Sequence, residues 1–129
     1  MRTLLLALLL ALPAQAAEPP VLPAAVPLVA PGLEGKWVVD LRLRLTDAPY
    51  SKPLVLVIAA DGTVTGEFYD HEIESGKART LKGRTCFAFR TSDQSGPYKT
   101  SGCFVGSQIE GQSWSEGRKF VLPWTATRP

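Results

Sequence analysis

Cys86 and Cys103 are the only cysteines in a chain of 129 residues, and few kinds of chemistry are open to them. Two thiolates can join a metal site or close a disulfide. A metal site needs further ligands near by, yet Cys-x-x-Cys spacing is absent and the single histidine, His71, is distant in sequence. A disulfide is the expected outcome. His71 lies in Tyr69-Asp70-His71-Glu72-Ile73-Glu74, a polar connection. One imidazole among scattered carboxylates does not define a closed coordination shell, so a solvated loop accounts for them and no metal ligand is assigned.

Catalytic constellations are equally sparse. There is no Gly-x-Ser-x-Gly elbow, and any Ser or Cys nucleophile would have only His71 as a histidine base. Asp40, Glu67 and Glu110 fall on separate segments and are expected to face outward, whereas a paired-carboxylate hydrolase needs two acids converging in a cleft. No glycine-rich phosphate loop runs into a helix. No catalytic residue and no cofactor are expected.

Arg42, Arg44, Lys77, Arg79, Lys82, Arg84, Arg90 and Lys99 form a basic series that would gather on an outer wall. They could meet an anionic polysaccharide, a lipid headgroup or an acidic protein, or simply keep the wall soluble and blunt strand edges. Trp114, near Glu116-Gly117-Arg118, is either an exposed contact residue or a lid over one end.

The elements that must position these residues begin after a leader. Met1-Arg2 is a short positive start, Leu4–Leu12 an unbroken apolar run, and Ala14-Gln15-Ala16 a small-x-small cleavage site before Ala17. This is the form of a secretory signal peptide over residues 1–16, too short to span a bilayer. The mature protein is therefore expected to be periplasmic or secreted, with no integral membrane segment. Losing Arg2 removes one of the 14 basic side chains against 12 acidic ones. So small an excess gives no long-range pull toward nucleic acid. Residues 17–32, with prolines at 19, 20, 23, 27 and 31, are expected to be a flexible leader. The folded domain is placed at 33–129.

Within that domain the periodicity is two. Lys36–Thr46 alternates, with Trp37, Val39, Leu41, Leu43 and Leu45 on one face. Leu54–Ala59 and Thr63–Tyr69 flank the Ala60-Asp61-Gly62 turn. Lys77–Arg84, Thr85–Thr91, Tyr98–Val105, Gln108–Trp114 and Lys119–Thr127 follow, separated by turn residues. No stretch carries a helical stripe. The pattern predicts an all-β domain, a single antiparallel eight-stranded up-and-down barrel that leaves no exposed sheet edge.

The cysteines test that pattern. A turn centred between Gln94 and Ser95 sets Cys86 opposite Cys103, Phe87 opposite Gly102, Phe89 opposite Thr100 and Arg90 opposite Lys99. Facing cysteines in a hairpin meet the separation that a disulfide needs. Alternation then sends Phe87, Phe89, Gly102 and Phe104 inward and Cys86 and Cys103 to the wetter face.

Gly35-Lys36-Trp37 resembles the Gly-x-Trp start of the calycin barrels, the superfamily of avidins and lipocalins. The resemblance implies that Trp37 packs across one barrel end beneath a basic residue from the last strand, here Arg128. Val64-Thr65-Gly66-Glu67-Phe68, Ile109-Glu110-Gly111-Gln112 and Trp124 are similar to avidin segments. Avidins hold biotin with an Asn and a Ser from the first strand and a Tyr from the third. The corresponding positions here are Val39, Leu43 and Phe68, and the chain contains no Asn. Hydrocarbon in place of those polar groups removes the basis for biotin binding.

What remains is an apolar interior, readable as a ligand pocket or as a packed core. Gly66 and Gly102 would either leave room for a ligand or let the sheet curl. The expected function is non-catalytic binding of a small apolar or aromatic ligand by Val39, Leu43, Phe68, Phe87, Phe89, Trp114 and Trp124. The alternative is a protein-interaction or inhibitor module with a filled core, acting on a protein partner through its loops and basic wall.

Overall fold

The computed structural model describes residues 11–16 and 26–129. The start of the expected signal peptide (residues 1–10) and residues 17–25 of the leader lie outside them. Among the described residues there is no helix.

The strands are β1 (Gly35–Asp40), β2 (Ser51–Ile58), β3 (Thr63–Phe68), the two-residue β4 (His71–Glu72), β5 (Glu74–Leu81), β6 (Arg84–Asp93), β7 (Gly96–Val105), β8 (Gln108–Ser115) and β9 (Phe120–Thr127). Each long strand pairs antiparallel with its neighbours in sequence. β1 also pairs with β9, and β2 with β3, so the sheet closes on itself. The result is a closed eight-stranded antiparallel barrel, consistent with a calycin-like barrel; β4 merely hooks back onto the end of β3.

The β6–β7 hairpin has the register read from the sequence: Cys86 faces Cys103, Phe87 faces Gly102 and Arg90 faces Lys99. Cys86 and Cys103 form a disulfide across a Cα separation of 4.0 Å. Their residues are half-buried on the outer face, while Phe87 and Phe89 are buried inside. The narrowest seam is β3–β5, where only Thr63↔Lys77 and Val64↔Gly76 pair before a bulge interrupts β5.

The first strand is shorter than its alternation predicts. β1 stops at Asp40, and residues 41–50 form a loop in which Leu43 and Leu45 are 76% and 86% exposed. Aspartate side chains turn the chain there by capping its backbone. Asp40 Oδ1 accepts the Arg42 N–H at 3.1 Å, and Asp47 Oδ2 accepts the Arg44 N–H at 3.0 Å. Arg42 and Arg44 therefore belong to this loop and not to the outer wall.

One end of the barrel is sealed. Trp37 is fully buried, its indole N–H donates to Leu33 O at 2.8 Å, and its ring meets Phe104 edge-on at 5.9 Å. The Arg128 guanidinium lies 3.8 Å over the Trp37 ring and donates to the carbonyls of Gly32, Glu34 and Lys36. This is the arrangement that the resemblance implied for Trp37 and Arg128, a cation over an indole.

The end of the leader is also held here. Thr80 N–H donates to Leu28 O at 2.9 Å, Ala30 N–H donates to Thr80 Oγ1 at 2.7 Å, and Val29 packs on the core. Residues 28–32, expected to be flexible, are docked by backbone hydrogen bonds that prolines at 27 and 31 leave free between them.

The core is filled through the barrel's waist. Phe87 and Phe89 stack at 5.7 Å, and Phe68 meets Phe89 at 5.7 Å and Trp124 at 5.8 Å. Phe87, Gly102, Gly111 and Trp124 form one row across β6–β9. The two glycines make room for the aromatics: a Cβ on Gly102 would meet Phe87 at 2.9 Å, and one on Gly111 would meet Trp124 at 2.5 Å. Gly66 serves the backbone instead. Its φ is +123°, and a Cβ there would strike Val55 O. None of these glycines opens ligand space; packing and curvature account for all three.

Candidate ligand pocket at the open end of the barrel

Opposite the Trp37 end, the barrel opens into a cavity of about 320 Å³. The volume sits near the lower bound of small-molecule sites, roughly 300 Å³. Leu41 and Leu43 come from the loop after β1, Phe68 from the end of β3, and Phe120 and Leu122 from β9. Together they give a largely apolar lining.

Hydroxyls punctuate it. Thr91 and Ser113 point inward from β6 and β8, and both are buried. Ser113 Oγ is already engaged, bonded to Thr100 Oγ1 at 2.9 Å and accepting the Trp124 indole N–H at 3.1 Å. That bond fixes the Trp124 ring beneath the pocket. Trp124 is thereby a floor support and not a wall.

The rim is built from tyrosines and charges. Tyr69 and Asp70 adopt left-handed φ values of 54° and 62° in the turn that folds β4 back on β3. A bulky residue rarely takes this conformation. Here it presents the Tyr69 hydroxyl to Tyr50 at 2.6 Å. That hydrogen bond, then burial, pushes the Tyr69 phenol up to about 12. Lys52 bonds Asp70 at 2.7 Å, which raises the Lys52 pKa and ties β2 to the same turn.

His71 Nδ1 lies 2.6 Å from Tyr69 O, and its ring stacks on Tyr69 with centroids 6.5 Å apart. Since a carbonyl only accepts, Nδ1 carries the proton in the neutral ring and Nε2 is left as an acceptor at the rim. Arg42 and Asp40 pair at 2.6 Å, and their hydrogen bonds hold the Asp40 carboxyl below its ordinary range. Arg118 spans the mouth's far side, donating to Ser95 Oγ at 3.2 and 3.3 Å.

The expected lining residues separate into three groups. Phe68 and Leu43 border the cavity, Leu43 from a loop and not from a strand. Val39, Phe87, Phe89 and Trp124 form the packed core below. Trp114 faces outward, because β8 directs Ile109, Ser113 and Ser115 inward and Trp114 has the opposite parity.

Sequence reasoning missed Tyr50, Tyr69, Tyr98, Thr91, Ser113 and Arg118 as neighbours of the pocket. The parity of β6 and β8 already carried the signal for Thr91 and Ser113; the others come mainly from turns and strand ends. Asp40, Glu67 and Glu110 do not converge: Asp40 pairs with Arg42, and Glu67 and Glu110 are exposed on different strands. No family model, no curated protein and no solved structure matches this chain.

Proposed function

We propose that this protein is an exported, non-catalytic barrel that takes one small apolar or aromatic molecule into its open end. The observation that carries the reading is the cavity of about 320 Å³ above a filled waist. One end is sealed by Trp37 and Arg128, so the other end is the way in. The lining combines hydrocarbon with isolated hydrogen-bonding groups, the usual composition of a small-molecule site. Tyr50, Tyr69 and Tyr98 give the rim flat surfaces with polar tips, suited to an aromatic ring. Export is supported by the Cys86–Cys103 bond, which persists in oxidising compartments. The avidin-like segments support placing the chain within the calycin barrels. Leu43 and Phe68, which border the cavity where the avidin resemblance would put biotin's polar partners, turn the ligand class toward hydrocarbon.

The test uses a neutral solvatochromic dye, Nile red, titrated into the mature protein. Leu43→Asp is the variant of choice, since Leu43 lines the cavity yet is 76% exposed on a loop. Losing its apolar contact should weaken dye binding by roughly tenfold, about 1.5 kcal/mol of apolar burial, with the melting temperature unchanged. Equal affinity in the two proteins would place the dye elsewhere and remove the mouth as the site.

A further inference from the structure

The outer wall carries a second concavity, on the opposite face of the sheet from the mouth's lining. It is a shallow groove of about 460 Å³ across β5–β8. Its floor is the small pair Ala88 and Ser101, which face each other in the β6–β7 ladder. One bank is a cross-strand row of Arg90, Lys99 and Trp114, joined by the Arg90↔Lys99 and Lys99↔Trp114 register pairs. Lys77 and Gln112 close the two ends of that floor, in register with Ala88 and Ser101 on β5 and β8. Trp114 is 38% exposed, whereas Trp37 and Trp124 are at 0% and 4%.

An indole left at a groove's edge costs water contact that a buried position would avoid. The fold leaves it there in a groove lined by three cations, Lys77, Arg90 and Lys99, with no carboxylate among the lining residues. Lys99 pairs with Glu116 at 3.1 Å, Lys77 donates to Thr63 Oγ1 at 3.1 Å, and Glu74 is the register partner of Arg90. Among the described residues Arg90 carries no ion pair within 4.0 Å.

We infer that this groove binds an acidic polysaccharide, with a sugar ring stacked on Trp114 and its acidic groups met by Arg90 and Lys99. Sugar rings have apolar C–H faces that lie flat on an indole, and hydroxyl edges that Ser101 and Gln112 can pair. The groove spans three strand steps, roughly 14 Å at about 4.8 Å each, enough for a short run of rings. Its concave, hydroxyl- and amide-bearing floor suits a chain of sugars better than a lipid surface, which calls for protruding apolar groups.

The experiment is calorimetric titration of the mature protein with oligogalacturonate and, separately, sulfated dextran oligomers, neutral dextran being the control. Iodide quenching runs in parallel, since Trp114 is the exposed indole. Binding to either polyanion but not to neutral dextran, with Trp114 shielded from iodide, is the expected result. Trp114→Ala should weaken binding by about tenfold or more, and Trp114→Phe should retain most of it. Arg90→Gln should cost less and flatten the salt dependence. The inference is overturned if neither polyanion binds, or if Trp114→Ala binds as well as the parent, which would mean charge alone. It is also overturned if a poly-glutamate peptide of equal charge competes equally well, which would make the partner a protein. Unchanged Nile red binding in Trp114→Ala separates this groove from the mouth.

Discussion

Gly111→Ala should destabilise the barrel by an amount that the geometry sets. Gly111 does not have a positive φ, so alanine is conformationally acceptable there. The cost is steric. An added Cβ would lie 2.5 Å from both Cζ2 and Cη2 of Trp124 and 2.8 Å from Ser101 O. Non-bonded carbons rest at about 3.5–4.0 Å, so roughly 1 Å of overlap must be relieved by moving the indole. Trp124 is pinned by its 3.1 Å bond to Ser113 Oγ and by Phe68 at 5.8 Å. Overpacking costs about 1–3 kcal/mol, and a broken buried hydrogen bond adds about 1 kcal/mol. We expect a loss of about 2–4 kcal/mol by urea denaturation, with the slope of the unfolding curve unchanged. Trp124→Phe shortens the ring that the new methyl strikes. The double variant should therefore be at least about 1 kcal/mol more stable than the two single changes summed. A Gly111→Ala protein within about 0.5 kcal/mol of the parent, or strict additivity in the cycle, would refute the interlocked row of Phe87, Gly102, Gly111 and Trp124.

Two further outcomes follow from the wall and the rim. Cys86→Ser opens a loop with a sequence separation of 17 and should cost about 3 kcal/mol, roughly 10–20 °C in Tm under oxidising conditions, with dye binding at the mouth retained; equal melting of the two proteins would mean that the bond does not form in solution. Of the three tyrosines, Tyr69 should ionise near pH 12 in an absorbance titration, and Tyr50→Phe should return it toward the ordinary phenol range. Because the fold raises that pKa, the contribution to stability is intact below pH 10 and is lost as pH climbs through about 12. A titration in which the Tyr69 phenol is not raised above its ordinary range would contradict the Tyr50–Tyr69 bond.

The parts of the fold legible in the sequence were those fixed by alternation and a tight turn together. Cys86 and Cys103 could be paired because the turn at Gln94-Ser95 is short and both flanks alternate, leaving one register that buries Phe87 and Phe89. The Trp37–Arg128 contact was legible only through the calycin resemblance, for 91 residues separate them and no local rule joins them. Leu41–Thr46 departs from the strand that its alternation predicts for a physical reason. Alternating leucines and arginines satisfy a strand, but Asp40 and Asp47 offer the backbone a competing set of hydrogen bonds, and these win. Trp114, readable from its place near a turn as an exposed contact residue or as a lid and named among the expected lining, is sent outward by the parity of Ile109, Gly111 and Ser113 on the same strand. The polar part of the mouth was harder to see. Tyr50 and Tyr69 meet only because a left-handed turn returns the chain at residue 69, and the sequence Tyr-Asp does not advertise that turn as Asn-Gly would.

Native mass spectrometry of the protein taken from its own compartment shows whether the open end holds a small molecule. The expected spectrum carries a mass excess of one apolar or aromatic molecule, which acetonitrile releases and which Leu43→Asp fails to retain. Bare protein in every preparation, with the disulfide formed and the barrel folded, would contradict it.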